Sequence, residues 1–257
     1  MRELERDSSS EPPACTSLTI VGRGRLGNAL AQAFADAGLD VLGPLGRRAD
    51  VPADRPVLLC VPDGEIATAA AALPSATGDP IVGHCSGATR LDVLLPHEAF
   101  SLHPLMTVTA DGAQFPGAGA AVAGTTPRAL SVARGLAQSL RMVPVEVDEE
   151  DRALYHAAAS VASNFLITLE ATAERLAATA GVERELLVPL VRATVENWSR
   201  IGAQRALTGP VARGDEATVA AQRRAVAEAA PELLPVFEAL VTATQELAAH
   251  AKEPQPA

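Results

Sequence analysis

The residues whose types and spacing point most directly to chemistry are Gly22-Arg23-Gly24-Arg25-Leu26-Gly27, a GxGxxG turn. In such a turn the first glycine permits the tight bend and the second lets a pyrophosphate approach the backbone. The third lets the following helix close on its strand. The helix N-terminus then offers free N–H groups and partial positive charge to the phosphates. Gly22, Gly24, Arg25, Leu26 and Gly27 are therefore the candidate dinucleotide site. A lone GxGxxG is a weak signal, because glycine turns are common, and its context gives it meaning. Residues 16–21 before it form a short apolar run. After it, Leu26, Ala29, Leu30, Ala33, Phe34 and Ala37 recur at helical spacing until Gly38.

NAD-specific domains of this kind place an acid at the end of the second strand, for the ribose hydroxyls. Here Val41-Leu42-Gly43-Pro44-Leu45-Gly46-Arg47-Arg48 contains no acid, and the next is Asp50. An acid would repel a 2′-phosphate, whereas Arg47 or Arg48 would pair with it, so NADP is the expected nucleotide. The alternative is that both arginines are solvated on a loop.

A nicotinamide nucleotide delivers hydride. Reducing a carbonyl leaves an alkoxide that must be protonated, and a placed acid contributes about 10²–10⁴-fold. The candidate acids are His84, His103, Tyr155 and His156. His84 and His103 close the expected fourth and fifth strands, at the carboxyl edge where ligands bind in open α/β sheets. Tyr155 and His156 open the first helix beyond the sheet. Histidine titrates near neutrality and suits proton transfer. Each also has a structural reading: His84 as a hydrogen-bonded residue under the cofactor, His103 as a brace for a turn, His156 as a cap for a neighbouring helix. His84, Cys85, His103 and His156 fit no standard zinc spacing, so no metal is expected. Arg213, just before Asp215, could grip a substrate carboxylate with its planar fork. Its alternative is an ion pair with Asp215.

The elements that must position these residues follow from the apolar pattern. Strands are expected at 16–21, 40–43, 57–61, 81–85, 99–102, 118–123 and 143–147, with helices at 26–37, 65–73 and 128–140. After Asp148 the pattern is helical throughout: to about residue 180, then 183–207, then a helix capped by Asp215, then one opened by Pro231. Residues 208–214 read as a loop. The fold class is α/β, with an N-terminal Rossmann-like, mostly parallel sheet and a second, all-α C-terminal domain. The domains are expected at 15–147 and 148–251, between a disordered leader at 1–14 and a disordered tail at 252–257.

Composition narrows the function classes. A chain of 257 residues buries about three-quarters of its unfolded surface, so neither disulfide nor metal is needed for stability. Aromatic residues are 3% against 48% hydrophobic, which leaves Ala, Leu and Val to build the core. The formal net charge of −10 argues against nucleic acid or an anionic membrane as partner. Cys15, Cys60 and Cys85 show no CxxC spacing and read as reduced thiols in the cytoplasm. The first ten residues are too charged for a signal peptide, and no apolar stretch reaches membrane-spanning length.

Several strings add to the glycine turn: Cys60-Val61-Pro62-Asp63, His84-Cys85-Ser86-Gly87, Ser101-Leu102-His103-Pro104-Leu105, Tyr155-His156-Ala157-Ala158, Ser163-Asn164 and Thr208-Gly209-Pro210-Val211-Ala212-Arg213-Gly214-Asp215. With them the chain resembles an uncharacterised family that pairs a Rossmann-like domain with a helical domain of unknown function. That family looks like a branch of the superfamily of pyrroline-5-carboxylate reductase, ketopantoate reductase and the β-hydroxyacid dehydrogenases, whose helical domain is similar to that of 6-phosphogluconate dehydrogenase. The resemblance implies NADP, a homodimer through the C-terminal helices and a site in the cleft between domains. It implies Val61 and Pro62 beside the nucleotide, Ser86 and Gly87 at the substrate, and a catalytic Asn164. Leu154, Val161, Phe165, Leu169 and Leu176 are more apolar positions than one helix stripe can bury, which agrees with a dimer.

One departure matters. β-Hydroxyacid dehydrogenases and ketopantoate reductases resemble one another in using a lysine acid on the first helix of the C-terminal domain. The matching stretch, Ala158-Ala159-Ser160-Val161-Ala162-Ser163-Asn164, has none, and Lys252 is the only lysine in the chain. A protonated imine already carries its proton, so the missing lysine favours an imine or requires another acid. The expectation is an NADP-dependent oxidoreductase that reduces a small carboxylate-bearing keto acid (ketopantoate-like) or cyclic imine (pyrroline-carboxylate-like). The alternative is a non-catalytic NADP-binding sensor or partner protein.

Overall fold

The computed structural model describes residues 15–46, 49–73, 80–109 and 112–250. The expected leader and tail, and the pair Arg47 and Arg48, lie outside the described residues. Seven strands form one sheet: β1 (Ser17–Val21), β2 (Asp40–Leu45), β3 (Val57–Leu59), β4 (Val82–His84), β5 (Ala99–Leu105), β6 (Gly119–Gly124) and β7 (Val143–Glu146). Their order is β2-β1-β3-β4-β5-β6-β7. Every neighbouring pair is parallel except β5 and β6, which run antiparallel from Phe100 opposite Gly124 to Leu105 opposite Gly119.

Strand alternation assigns the core residues to the two faces. Leu18, Ile20, Leu58, Phe100 and Leu102 join one buried cluster with Leu30 and Phe34 of α1 (Arg25–Asp36) and Leu136 of α3 (Pro127–Ser139). Val21, Val57, Leu59 and Val82 join another with Ile66 and Ala70 of α2 (Ile66–Ala71). Both faces are covered, which is why β3 reads as a continuous apolar run. Strands β2 and β5 run to Leu45 and Leu105, further than periodicity suggests, because pairing with β1 and β6 extends them.

The chain divides into two compact units, Met1–Ser163 and Asn164–Ala257. Helix α4 (Arg152–Ser160) thus packs with the sheet rather than with the helices that follow it. A π-helical turn, Val161–Phe165, separates α4 from α5 (Leu166–Thr179), where the sequence suggests one unbroken helix. In the second unit, α6 (Arg184–Ile201) stops at Gly202, whose φ of +76° breaks the helix expected to reach 207. A short α7 (Ala203–Ala206) follows, and a single helical turn, α8 (Pro210–Arg213), occupies the expected loop. The unit closes with α9 (Glu216–Ala229), capped by Asp215 as expected, and α10 (Leu234–His250). No strand follows β7 among the described residues. No helix of the described residues is long and apolar enough to cross a membrane.

Candidate active site

The glycine turn joins β1 to α1, and its glycines differ in what they face. Gly22 has φ +122°, and a Cβ there would lie 2.1 Å from the carbonyl oxygen of Cys60. A Cβ on Gly27 would lie 2.0 Å from the carbonyl oxygen of Gly22, so only glycine lets α1 close on the strand. A Cβ on Gly24 would meet nothing within 4 Å. That open glycine is the N-cap of α1, with no side-chain cap and no acid in the first turn. The N–H groups of Arg25, Leu26 and Gly27 open the helix with no acid in its first turn to repel an anion. This arrangement fits a pyrophosphate.

Beside the turn, a cleft of about 390 Å³ is lined by Val21, Gly46, Val51, Val61, Ala69 and Leu73 among others. Its apolar walls suit an adenine ring. Val61 is one of those walls, whereas Pro62 is exposed and precedes the 3₁₀ turn Asp63–Glu65. Arg23 lies along the end of β2. Its Nε donates to the Pro44 carbonyl at 3.4 Å, and a Cβ on Gly46 would lie 3.5 Å from its Cζ. A guanidinium thus occupies the place where an NAD-specific domain carries its ribose-binding acid. Arg23, inside the motif itself, thus joins the Arg47 and Arg48 pair expected from the sequence as a cation for this position.

Further along the same carboxyl edge, side chains replace bare backbone. His84 ends β4 fully buried, and its Nδ1 accepts from the Ser86 N–H at 3.2 Å. Burial pushes its pKa down to about 4, reinforced by the charge of Arg152 and partly opposed by the Arg90 backbone and Asp63. His84 is thus a neutral structural residue. His103 of β5 contacts the Tyr155 hydroxyl through Nδ1 at 2.8 Å, with the two rings perpendicular. The His156 ring lies 6.1 Å from that of His103. Burial, then the charges of His156 and Arg152, push His103 down to about 4. Burial raises the Tyr155 phenol, which Arg152 partly offsets. At neutral pH His103 is therefore uncharged and Tyr155 protonated.

Gly87 makes room for this cluster. A Cβ there would lie 2.8 Å from His156 Cδ2 and 2.9 Å from His103 Cε1. Ser86 forms a closed turn: its Oγ donates to Asp63 Oδ2 at 2.7 Å or Thr89 Oγ1 at 2.9 Å, and accepts the N–H groups of Ala88 and Thr89. The resemblance implies Ser86 at the substrate, and here its hydroxyl is engaged within the turn.

Arg152 holds the cluster to the sheet, and the sequence reading missed it. Its side chain is 2% exposed. One terminal nitrogen donates to Ser101 Oγ at 2.9 Å and reaches Glu149 at 3.4 Å, while the other donates to the Ser86 carbonyl at 2.8 Å. Glu149 in turn accepts the Leu91 N–H at 2.9 Å.

Asn164 and Arg213 belong to the second unit. Asn164 sits exposed in the π-helical turn. Arg213 ends α8, while the Asp215 carboxylate is taken by the Thr218 N–H at 3.0 Å and the Thr218 hydroxyl at 2.6 Å. Arg213 acts on Asp215 only as a Coulombic neighbour. Among the described residues no three His, Cys, Asp or Glu side chains gather as a metal site.

Residues 118–244 match a domain of unknown function, DUF2520. The match holds Tyr155, His156, Asn164 and Arg213, and leaves the glycine turn, His84 and His103 outside it. No curated protein matches the chain. Among solved structures, a candidate NADP oxidoreductase from Bacteroides fragilis is 19% identical with a TM-score of 0.76, over 90% of this chain and 98% of its own. A protein from Thermotoga maritima is 23% identical with a TM-score of 0.75, over 92% and 100%. Pyrroline carboxylate reductase from Plasmodium falciparum, with NADP bound, is 12% identical with a TM-score of 0.56, over 91% and 99%. The family resemblance and the Rossmann-like fold class expected from the sequence are both borne out.

Proposed function

From a DUF2520 domain that continues a Rossmann-like sheet, we propose that this chain is an NADP-dependent reductase of a small carboxylate-bearing keto acid or cyclic imine, working without a catalytic lysine. One observation carries the reading. The open Gly24 and the uncapped start of α1 share a carboxyl edge with the Tyr155–His103–His156 cluster. The likeness to oxidoreductases, one of them a pyrroline carboxylate reductase with NADP bound, supports the same class.

Bound NADPH supplies the hydride. The N–H groups of Arg25, Leu26 and Gly27 hold the pyrophosphate, and Arg23, with Arg47 and Arg48, takes the 2′-phosphate. Neutral His103 anchors the Tyr155 hydroxyl, and His156 is the group that delivers a proton to the substrate. The stretch 158–164 carries no lysine, and the single lysine of the chain is Lys252, so the proton is assigned to another group. An imine substrate asks least of the cluster, because it arrives protonated. The resemblance supports Asn164 in substrate handling and the planar fork of Arg213 suits a substrate carboxylate; a raised KM in Arg213→Ala would test that role. The direct experiment is NADPH consumption with a panel of keto acids and cyclic imines. Turnover on either class upholds the reading. Tight NADPH binding with no consumption across the panel would replace it with a non-catalytic sensor.

The working form is a homodimer through the C-terminal helices. Among the described residues of the second unit only Val219, Val226, Ala230 and Val241 are buried apolar residues, while Ile167 is 69% and Leu186 70% exposed. Phe165, Leu190 and Trp198 are also exposed. Between α5 and α6 lies a groove walled by Leu166, Ala173, Leu187, Leu190 and Val191. Exposed apolar surface of this extent marks an interface, and a symmetric copy supplies a matching one. A monomer in sedimentation at micromolar concentration would overturn this.

A further inference from the structure

We infer that Cys60 and Cys85 form a redox modification site, closing a disulfide beneath the glycine turn on exposure to a low-molecular-weight disulfide. Their sulfurs lie 3.7 Å apart. They sit one residue beyond the last paired positions of adjacent parallel strands, Leu59 opposite His84. Neighbouring strands run about 4.8 Å apart, inside the Cα separation a disulfide spans, about 4.4–6.8 Å. The facing sulfurs show that both side chains already point the same way. Cys60 is partly exposed and Cys85 buried. That gives an accessible attacking thiol and a sheltered resolving one. The third thiol, Cys15, donates to the Ser17 carbonyl at 3.2 Å, at the opposite end of β1.

The step balances without further reactants. The Cys60 thiolate attacks one sulfur of the small disulfide and expels one thiolate, which takes up the proton Cys60 lost. The Cys85 thiolate then attacks Cys60 Sγ and expels the second, which takes up the proton of Cys85. The protein loses two protons and two electrons, and the small disulfide takes them up to become two thiols. The hydrogen bond with Cys60, and then burial, raise the Cys85 thiol well above its ordinary pKa, which slows the second attack and makes the site one that responds to sustained oxidation.

The consequence falls on the turn above. A Cβ on Gly22 would lie 2.1 Å from the Cys60 carbonyl oxygen, and one on Gly27 3.3 Å from Cys60 Cβ, so there is no slack between Cys60 and the turn. Drawing the sulfurs together to about 2.05 Å shifts Cys60, and the turn must follow. Oxidation therefore weakens nucleotide binding, by about tenfold, and bound nucleotide opposes oxidation by the same factor. This consequence rests on the nucleotide reading of the turn, whereas the disulfide does not.

The test treats the full chain, reduced and then exposed to oxidised glutathione, and counts free thiols by alkylation and mass after unfolding. The expected result is one alkylated cysteine, Cys15, and a peptide linking Cys60 to Cys85. Three free thiols, a link through Cys15, or only a glutathione adduct would overturn the site. In Cys85→Ala the adduct should stay trapped on Cys60, and its absence would count equally against the site. NADPH titration of the reduced and oxidised chains then reads the coupling, and equal affinities would refute it. A reduced chain that binds no NADPH would instead refute the nucleotide reading, while the thiol count would still decide the disulfide.

Discussion

The carboxyl edge of the sheet has two halves built on opposite plans. At β1 and β2 the surface is bare backbone: three glycines, a run of free N–H groups and an apolar cleft, with Arg23 lying across the end of β2. At β4, β5 and α4 it is crowded with titratable side chains, and the buried guanidinium of Arg152 ties them together. The first half is shaped to receive charge from a ligand. The second already holds its own charge, at a cost in desolvation. Side-chain truncations should therefore act differently in the two: on folding at the buried groups of the second half, on affinity alone at the exposed Arg23 of the first.

The largest effect should come from Arg152→Ala. Removing a buried guanidinium leaves Glu149 without its ion partner, and Ser101 and the Ser86 carbonyl without their donor. Breaking one member of such a set costs about 3–5 kcal/mol, read as a lower midpoint in urea unfolding. A loss comparable to that of an exposed substitution would mean that the two halves do not differ as argued.

Acid should expose the same half next. His84 ionises at about 4 in the folded chain against 6.5 ordinarily, because burial and Arg152 oppose its charge. The unfolded chain binds that proton first, so stability is full above pH 6.5 and falls as pH drops from there to about 4. At about 1.4 kcal/mol per unit the shift amounts to about 3 kcal/mol, and His103 adds to it in the same direction. His84→Asn should flatten the decline in unfolding measured from pH 7 to 4. An unchanged decline would place the acid sensitivity elsewhere.

His156 belongs to the crowded half by position but has a partly exposed ring, so its loss should spare folding and strike turnover. His156→Ala is expected to lower kcat and kcat/KM together by about 10²-fold or more. Tyr155→Phe, which deletes the hydroxyl that faces His103, provides the contrast. If Tyr155→Phe costs more and His156→Ala leaves kcat/KM intact, the phenol is the proton donor.

The two halves were also unequally legible. The glycine turn could be read from sequence because each glycine answers a local demand: a positive φ at Gly22, a close approach at Gly27, open space at Gly24. The apolar runs located all seven strands for a similarly local reason. The crowded half depends on contacts between distant positions, such as Arg152 to Ser101 and Ser86. Its histidines could be nominated one at a time, but nothing local to residue 152 marks a guanidinium that will be buried. The same limit applies to Asp63, whose bond to Ser86 closes a turn between distant positions. The π-helical turn at Val161–Phe165 was equally hidden, since its five residues suit an ordinary helix.

The smallest effect should fall on the bare half, at Arg23. The residue is exposed and its one backbone contact is long, so Arg23→Ala should leave the unfolding midpoint unchanged. Its guanidinium faces the end of β2, where a 2′-phosphate would lie and an NAD-specific acid is missing. A charge-assisted contact there contributes about 1.5–3 kcal/mol, or roughly 10–150-fold in affinity. Because Arg47 and Arg48 can share the phosphate, the single substitution should lose near the lower end, about tenfold for NADPH, with NADH affinity unmoved. Raising the salt concentration should shrink the NADPH preference of the unaltered chain as well, since an exposed ion pair is screened. Three outcomes separate the residues. Loss of preference in Arg23→Ala assigns the 2′-phosphate to the glycine turn, and loss only in an Arg47→Ala, Arg48→Ala double substitution assigns it to that arginine pair. Equal affinity for both nucleotides in the unaltered chain would remove the case for NADP altogether.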